Sequence, residues 1–160
     1  MNWYESYAFC IWDGGFLPSE AEWEYAAAGG SQQREYPWGS TAPGKKNQYA
    51  IYDGYYSHST ADPVPGITEI APVGMATLGA GLWGQLDMAG EVWEWNLDGY
   101  ATFYVDPCTD CAYLPTAASD RVQRGAPYDT DEVSLFPTIR WQWLASNRMF
   151  LSGFRCARSP

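Results

Sequence analysis

The chain has 160 residues, a formal net charge of −10 from nine Lys and Arg against nineteen Asp and Glu, and 17% aromatic content with nine Trp. That length fits one domain with a real core. The acidic balance argues against nucleic acid and anionic membranes as partners, since both need a basic footprint, and no stretch approaches the roughly 18 apolar residues of a membrane span.

Trp3-Tyr-Glu-Ser-Tyr-Ala-Phe-Cys-Ile-Trp12 lacks Gly and Pro and predicts a helix with Tyr4, Ala8, Ile11 and Trp12 on one side; Asp13-Gly14-Gly15 ends it. Pro18 and a capping box of Ser19 with Glu22 open a second helix, which Gly29-Gly30 closes, and Trp23, Ala26 and Ala27 form its apolar stripe. Residues 31–87 hold no lasting period, yet disordered chains are poor in aromatics. They therefore read as ordered, irregular structure with short strands. Val92–Trp95, Arg121–Arg124 and Gly153–Ala157 alternate as strands of a small antiparallel sheet. The expectation is an α+β, loop-rich domain over 1–160 with no internal boundary.

Leu17-Pro-Ser-Glu-Ala-Glu-Trp-Glu-Tyr25, Met88-Ala-Gly-Glu-Val-Trp-Glu-Trp95 and Gly153-Phe-Arg-Cys-Ala-Arg158 occur in a fixed order, with Tyr36-Pro-Trp-Gly39, Ala71-Pro-Val73 and Arg121-Val-Gln-Arg-Gly125 in register between them. Together they resemble the formylglycine-generating enzymes, or sulfatase-modifying factors, whose core is a variant of the C-type lectin fold. In the family a further stretch of sheet precedes the helix matched by Trp3. The chain thus reads as the C-terminal two-thirds of such a domain, a fragment or a shortened relative.

The resemblance pairs Cys10 with Cys156, closing a loop of about 145 residues worth ~4–5 kcal/mol in the chain-entropy model; two buried free thiols are the alternative. Cys108-Thr109-Asp110-Cys111 admits zinc, redox or structural readings. Zinc needs four ligands and the only His is His58. A redox motif opens a helix, whereas the flanking prolines describe a loop, which favours a local disulfide. Disulfides of either kind imply a secreted or periplasmic parent, although no signal peptide is visible.

The family's oxidase holds copper with two Cys that follow a Gly-Gly-Ser phrase. On the same spacing those positions are Thr130 and Leu135, and the Ser is Pro127. Neither side chain replaces a thiolate for a soft ion, so the resemblance carries no catalytic residue and copper is not expected. Asp129, Asp131 and Glu132 cluster there and read as a solvated acidic loop. Gly90, Glu91, Val92 and Glu94 match the family's Gly-Asn-x-Trp-Glu phrase, whose loop resembles a calcium site; calcium would find carboxylates at 91 and 94. The alternative is a capped turn with Glu94 against Arg155 or Arg158. A weaker second site begins at Asn47.

Three functions compete. The first is a catalytically silent domain that binds a small ligand or protein through Tyr128, Arg140, Trp141 and Trp143, with Phe136 beside them. The second is an active oxidase that converts a sulfatase Cys to formylglycine, for which the Cys pair is missing. The third is the accessory half of a sulfoxide-synthase-type iron enzyme, whose iron ligands would come from another domain.

Overall fold

Two capping boxes start the two helices of the computed structural model, which describes residues 1–56, 70–104, 112–115 and 120–159. His58, Cys108 and Cys111 lie outside these residues. Asn2 Oδ1 accepts from the Glu5 N–H and Glu5 Oε2 accepts from the Asn2 N–H, both at 2.9 Å, and α1 runs Trp3–Trp12. Ser19 Oγ accepts from the Glu22 N–H at 3.2 Å while Glu22 Oε2 accepts from the Ser19 N–H at 2.7 Å, and α2 runs Glu20–Ala27. Gly29 then turns left-handed, φ 66°, and stops α2 as expected.

The buried side of α1 is not the one carrying Tyr4, Ala8, Ile11 and Trp12, all of which are exposed. Trp3, Ser6 and Cys10 are buried instead. The helix is apolar nearly all round, so periodicity alone cannot choose its face. The choice falls to two long-range anchors: the Trp3 indole N–H donates to the Asn96 carbonyl at 2.8 Å, and Cys10 is bonded to Cys156 with Cα atoms 5.3 Å apart. This is the disulfide implied by the family resemblance.

The chain divides into two compact units. The first comprises Met1–Glu24, Trp93–Arg124 and Arg140–Pro160. Its four-stranded sheet has the order β3-β2-β1-β4, with β1 Trp93–Gly99, β2 Asp120–Arg124, β3 Trp141–Leu144 and β4 Ser152–Gly153. Pairs β1/β2 and β2/β3 are antiparallel, but β1 pairs with β4 in parallel, so the sheet is mixed rather than antiparallel. The expected strand over Gly153–Ala157 shrinks to β4 plus a single bridge from Ala157 to Phe16. Strand β3 was not foreseen. The core collects Trp3, Cys10, Leu17, Trp95 and Ala145, with Leu97, Trp143, Phe154 and Cys156 packed against them.

The second unit, Tyr25–Val92 and Gly125–Ile139, holds no strand among the described residues. Its regular pieces are 3₁₀ turns at Gly30–Gln32, Thr77–Gly79 and Glu132–Leu135. Aromatic packing replaces ladders: Tyr36, Ala50, Tyr52, Ala89 and Leu135 are buried with Trp38, Tyr55 and Phe136 against them. Tyr36 stacks on Trp38 at 5.0 Å and meets Phe136 at 5.2 Å, and each such pair adds about 0.5–1.5 kcal/mol beyond area burial.

Candidate ligand-binding site

After β2 the chain turns through Gly125-Ala126-Pro127. Ala126 has φ 63°, so it keeps a left-handed conformation at the place of the family's second Gly and bears the Cβ strain that Gly avoids. Thr130 Oγ1 donates to the Pro127 carbonyl at 2.8 Å. Leu135 is 1% exposed and belongs to the aromatic core. One side chain is thus tied to its own turn and the other is apolar filling, and this pair does not fit a copper ion. The carboxylates nearby are exposed; Glu132 Oε1 accepts from the Tyr36 hydroxyl at 3.0 Å, and burial together with that contact pushes the phenol up to about 12.

The four residues of the expected calcium loop are divided at the boundary after Val92. Glu94 belongs to the first unit, where its carboxylate is fully engaged. Arg155 donates to both oxygens at 2.6 Å and the Trp23 indole N–H donates at 2.7 Å. Glu91 belongs to the second unit. It is buried, sits at φ 70° where the family has Asn, and accepts from the Ala71 N–H at 3.1 Å through Oε2. Its Oε1 is buried with no hydrogen-bond partner among the described residues. Gly90 is obligatory beside it, because a Cβ there would lie 2.3 Å from the Ile51 carbonyl oxygen. Among the described residues, one Glu91 oxygen is thus left open to a hard cation, while the Glu94 oxygens are occupied by Arg155 and Trp23.

Desolvation, with Asp87 nearby, pushes the Glu91 carboxyl up to about 7 from an ordinary 4.5. A raised carboxyl holds its proton longer in the folded than in the unfolded chain, so stability falls as pH rises between those two values. In chelator, lowering the pH from 7.5 to 5 should therefore stabilise the chain by about 2–3 kcal/mol from this group, and Glu91→Gln should flatten that segment of the urea-derived stability profile.

Asn47, the weaker metal candidate, donates through Nδ2 to the Tyr55 carbonyl at 3.1 Å and lines a 530 Å³ pocket with Lys46, Gln48, Tyr55, Tyr56, Met75, Thr77 and Leu78. Among the described residues that lining has no carboxylate. Among the described residues no three His, Cys, Asp or Glu side chains gather.

In the first unit a pocket of about 430 Å³ is lined by Tyr100, Asp120, Arg140, Trp141, Gln142, Trp143, Leu144 and Asn147. It unites three of the four expected ligand-binding residues; Tyr128 is buried in the second unit. Arg140 is held from behind. Its Nη2 donates to Glu20 Oε2 at 2.8 Å and its Nη1 to the Ala101 carbonyl at 3.0 Å, while the guanidinium lies 5.0 Å from the Tyr100 ring and 4.3 Å from the Tyr104 ring. Glu20, at the first turn of α2, also faces the fully buried Arg124 at 3.5 Å. Asp98 accepts from the Glu20 N–H at 2.7 Å and the Tyr113 N–H at 2.8 Å, and burial raises its carboxyl. The sequence concealed that Tyr100 and Asp120 line this pocket and that Glu20 backs Arg140: Glu20 looks like an ordinary first-turn acid, and nothing local pairs it with Arg140 120 positions away.

The profile of the sulfatase-modifying factor enzyme 1-like domain matches residues 1–160. The chain belongs to that family. It is 36% identical to the formylglycine-generating enzyme of Mus musculus over 98% of this chain and 42% of that one. It is 31% identical to the inactive C-alpha-formylglycine-generating enzyme 2 of Mus musculus, over 99% and 48% respectively. A hercynine oxygenase of Mycobacterium tuberculosis is 31% identical over 98% of this chain and 35% of its own length. The chain therefore spans less than half the length of these relatives. The structure of PvdO from Pseudomonas aeruginosa superposes with a TM-score of 0.79 over 100% of this chain and 60% of that one at 24% identity, which shows the shared fold. The family thus includes enzymes of two kinds and an inactive member.

Proposed function

We propose that this chain is a catalytically silent member of its family, a secreted or periplasmic domain that binds a small ligand or protein at the Arg140–Trp141–Trp143 pocket. The observation that carries this reading is Leu135: on the spacing of the family phrase it stands where a copper-binding Cys is expected, and its side chain is 1% exposed in an aromatic core. The inactive relative supports it as a precedent within the family. The Cys10–Cys156 disulfide fits an oxidising compartment, and no helix among the described residues is long and apolar enough to cross a membrane.

A Cys-x-Pro-x-Arg peptide incubated with the chain, copper, reductant and oxygen should stay unchanged by mass spectrometry. Conversion of the peptide Cys to an aldehyde, absent without protein, would restore the oxidase reading. The sulfoxide-synthase reading would need iron ligands from another domain, and no observation favours it over the first.

Calcium is part of the proposal through Glu91, whose buried Oε1 has no hydrogen-bond partner among the described residues. One site at 100-fold excess over its dissociation constant adds roughly 2.7 kcal/mol. The melting temperature should accordingly rise by several degrees between chelator and millimolar calcium, and Glu91→Gln should abolish the rise; equal melting curves for the unaltered chain would remove calcium from the reading.

A further inference from the structure

Strand β3 forms one edge of the sheet. The Asp120 carbonyl accepts from the Tyr100 N–H at 3.1 Å, so the Asp120 backbone groups face β1. Leu144, directly opposite Asp120 on β3, is consequently a non-hydrogen-bonded partner, and its own N–H and C=O point away from the sheet. The Leu144 carbonyl is taken by the Asn147 N–H at 2.9 Å, consistent with that direction. Two residues earlier, Gln142 faces outward in the same way. Among the described residues nothing bonds to the Gln142 N–H, the Gln142 C=O or the Leu144 N–H. These outward groups border the 430 Å³ pocket.

Natural edges are blunted by Pro, Lys or inward charges; Trp141-Gln142-Trp143-Leu144 has none. Side chains alternate along it. Trp141 stacks on Trp93 at 6.2 Å and Trp143 packs against the core, which leaves Gln142 and Leu144 on the opposite face with Asp120 beside Leu144. The charges on that face are unequal. Arg140 is neutralised by Glu20, whereas the Asp120 carboxylate has no partner among the described residues.

We propose that the edge of β3 receives an extended peptide as an added strand, with a basic side chain of that peptide on Asp120. The proposal rests on the pocket being the binding site. Backbone pairing to Gln142 and Leu144 would supply affinity and the Asp120 side of the pocket selectivity. The net charge of −10 favours the same sign of partner.

The probe is the capped peptide Lys-Val-Lys-Val-Lys-Val-Lys-Val, titrated into the isotope-labelled chain, alongside its Glu-for-Lys analogue and a fully N-methylated analogue. Amide exchange at Gln142 and Leu144 should slow, N-methylation should abolish binding, and the Lys peptide should bind at least tenfold tighter than the Glu peptide. Asp120→Asn should erase that preference. Gln142→Pro, tolerable on an edge whose N–H faces outward, should remove binding with the fold intact by amide spectrum. If the peptide shifts Arg140, Trp141 and Asn147 yet tolerates N-methylation and leaves exchange at Gln142 and Leu144 unchanged, strand addition is overturned while the pocket reading stands. If no resonance around the pocket responds to any of the three peptides, strand addition is likewise overturned, and the small-ligand form of the pocket reading stands apart from that result.

Discussion

Glu20→Ala should lower the unfolding free energy by about 3–5 kcal/mol, the range for removing one partner of a buried ion pair. The Glu20 side chain is 6% exposed, and it accepts from Arg140 while facing Arg124, whose side chain is 0% exposed. Without it Arg124 keeps Glu24, but Arg140 loses its carboxylate and retains the Ala101 carbonyl and two tyrosine rings. The cost is chiefly that of a buried guanidinium left short of its counter-charge, so Arg140→Met in the Glu20→Gln background should cost less than the two single changes added together. Urea unfolding of the four members of this cycle measures it. A coupling energy under 0.5 kcal/mol would mean that the pair is solvated in the folded chain, contrary to its burial. Ligand binding gives a second readout, because an Arg140 released from Glu20 changes the charge beside Asp120.

How far the fold was legible depended on the distance over which each choice is made. Ser19 and Glu22 are three residues apart and announced α2 correctly. Asn2 and Glu5 form the same signature for α1, equally local, just ahead of the apolar run that begins at Trp3. The buried face of α1 could not be read, since it is set by Asn96 and Cys156, far along the chain. Strand β3 was hidden by its neighbours: Trp141 and Trp143 looked like cleft lining, although their alternation with Gln142 and Leu144 is a strand period. Of the four residues expected to bind a ligand, Arg140, Trp141 and Trp143 line one pocket and Tyr128 is buried in the second unit. A shared aromatic-rich stretch of sequence does not reveal that the chain passes from one compact unit to the other after Ile139. Nor does the sequence show that Arg155, 61 positions on, holds the Glu94 carboxylate through two hydrogen bonds.

Replacing Cys10 and Cys156 together by Ala should cost about 5 kcal/mol. The bond closes a loop with a sequence separation of 146, and the chain-entropy model assigns that much to the freedom it denies the unfolded chain. Cys10 is fully buried against Trp3, Leu17 and Trp95, so a single Cys10→Ala change adds a packing loss of its own. Chemical reduction removes the crosslink with no atom deleted from the core. Comparing reduced and oxidised unaltered chain by urea denaturation separates the two contributions: a reduced chain within 1 kcal/mol of the oxidised one would show that the crosslink contributes little and that the core alone sets stability. Alkylation under denaturing, non-reducing conditions supplies the companion check, in which the peptides containing Cys10 and Cys156 should remain unlabelled. Small domains have only about 5–15 kcal/mol in total. Losing ~5 of it removes about a third or more of that total, which is the physical reason such a bond suits an oxidising compartment.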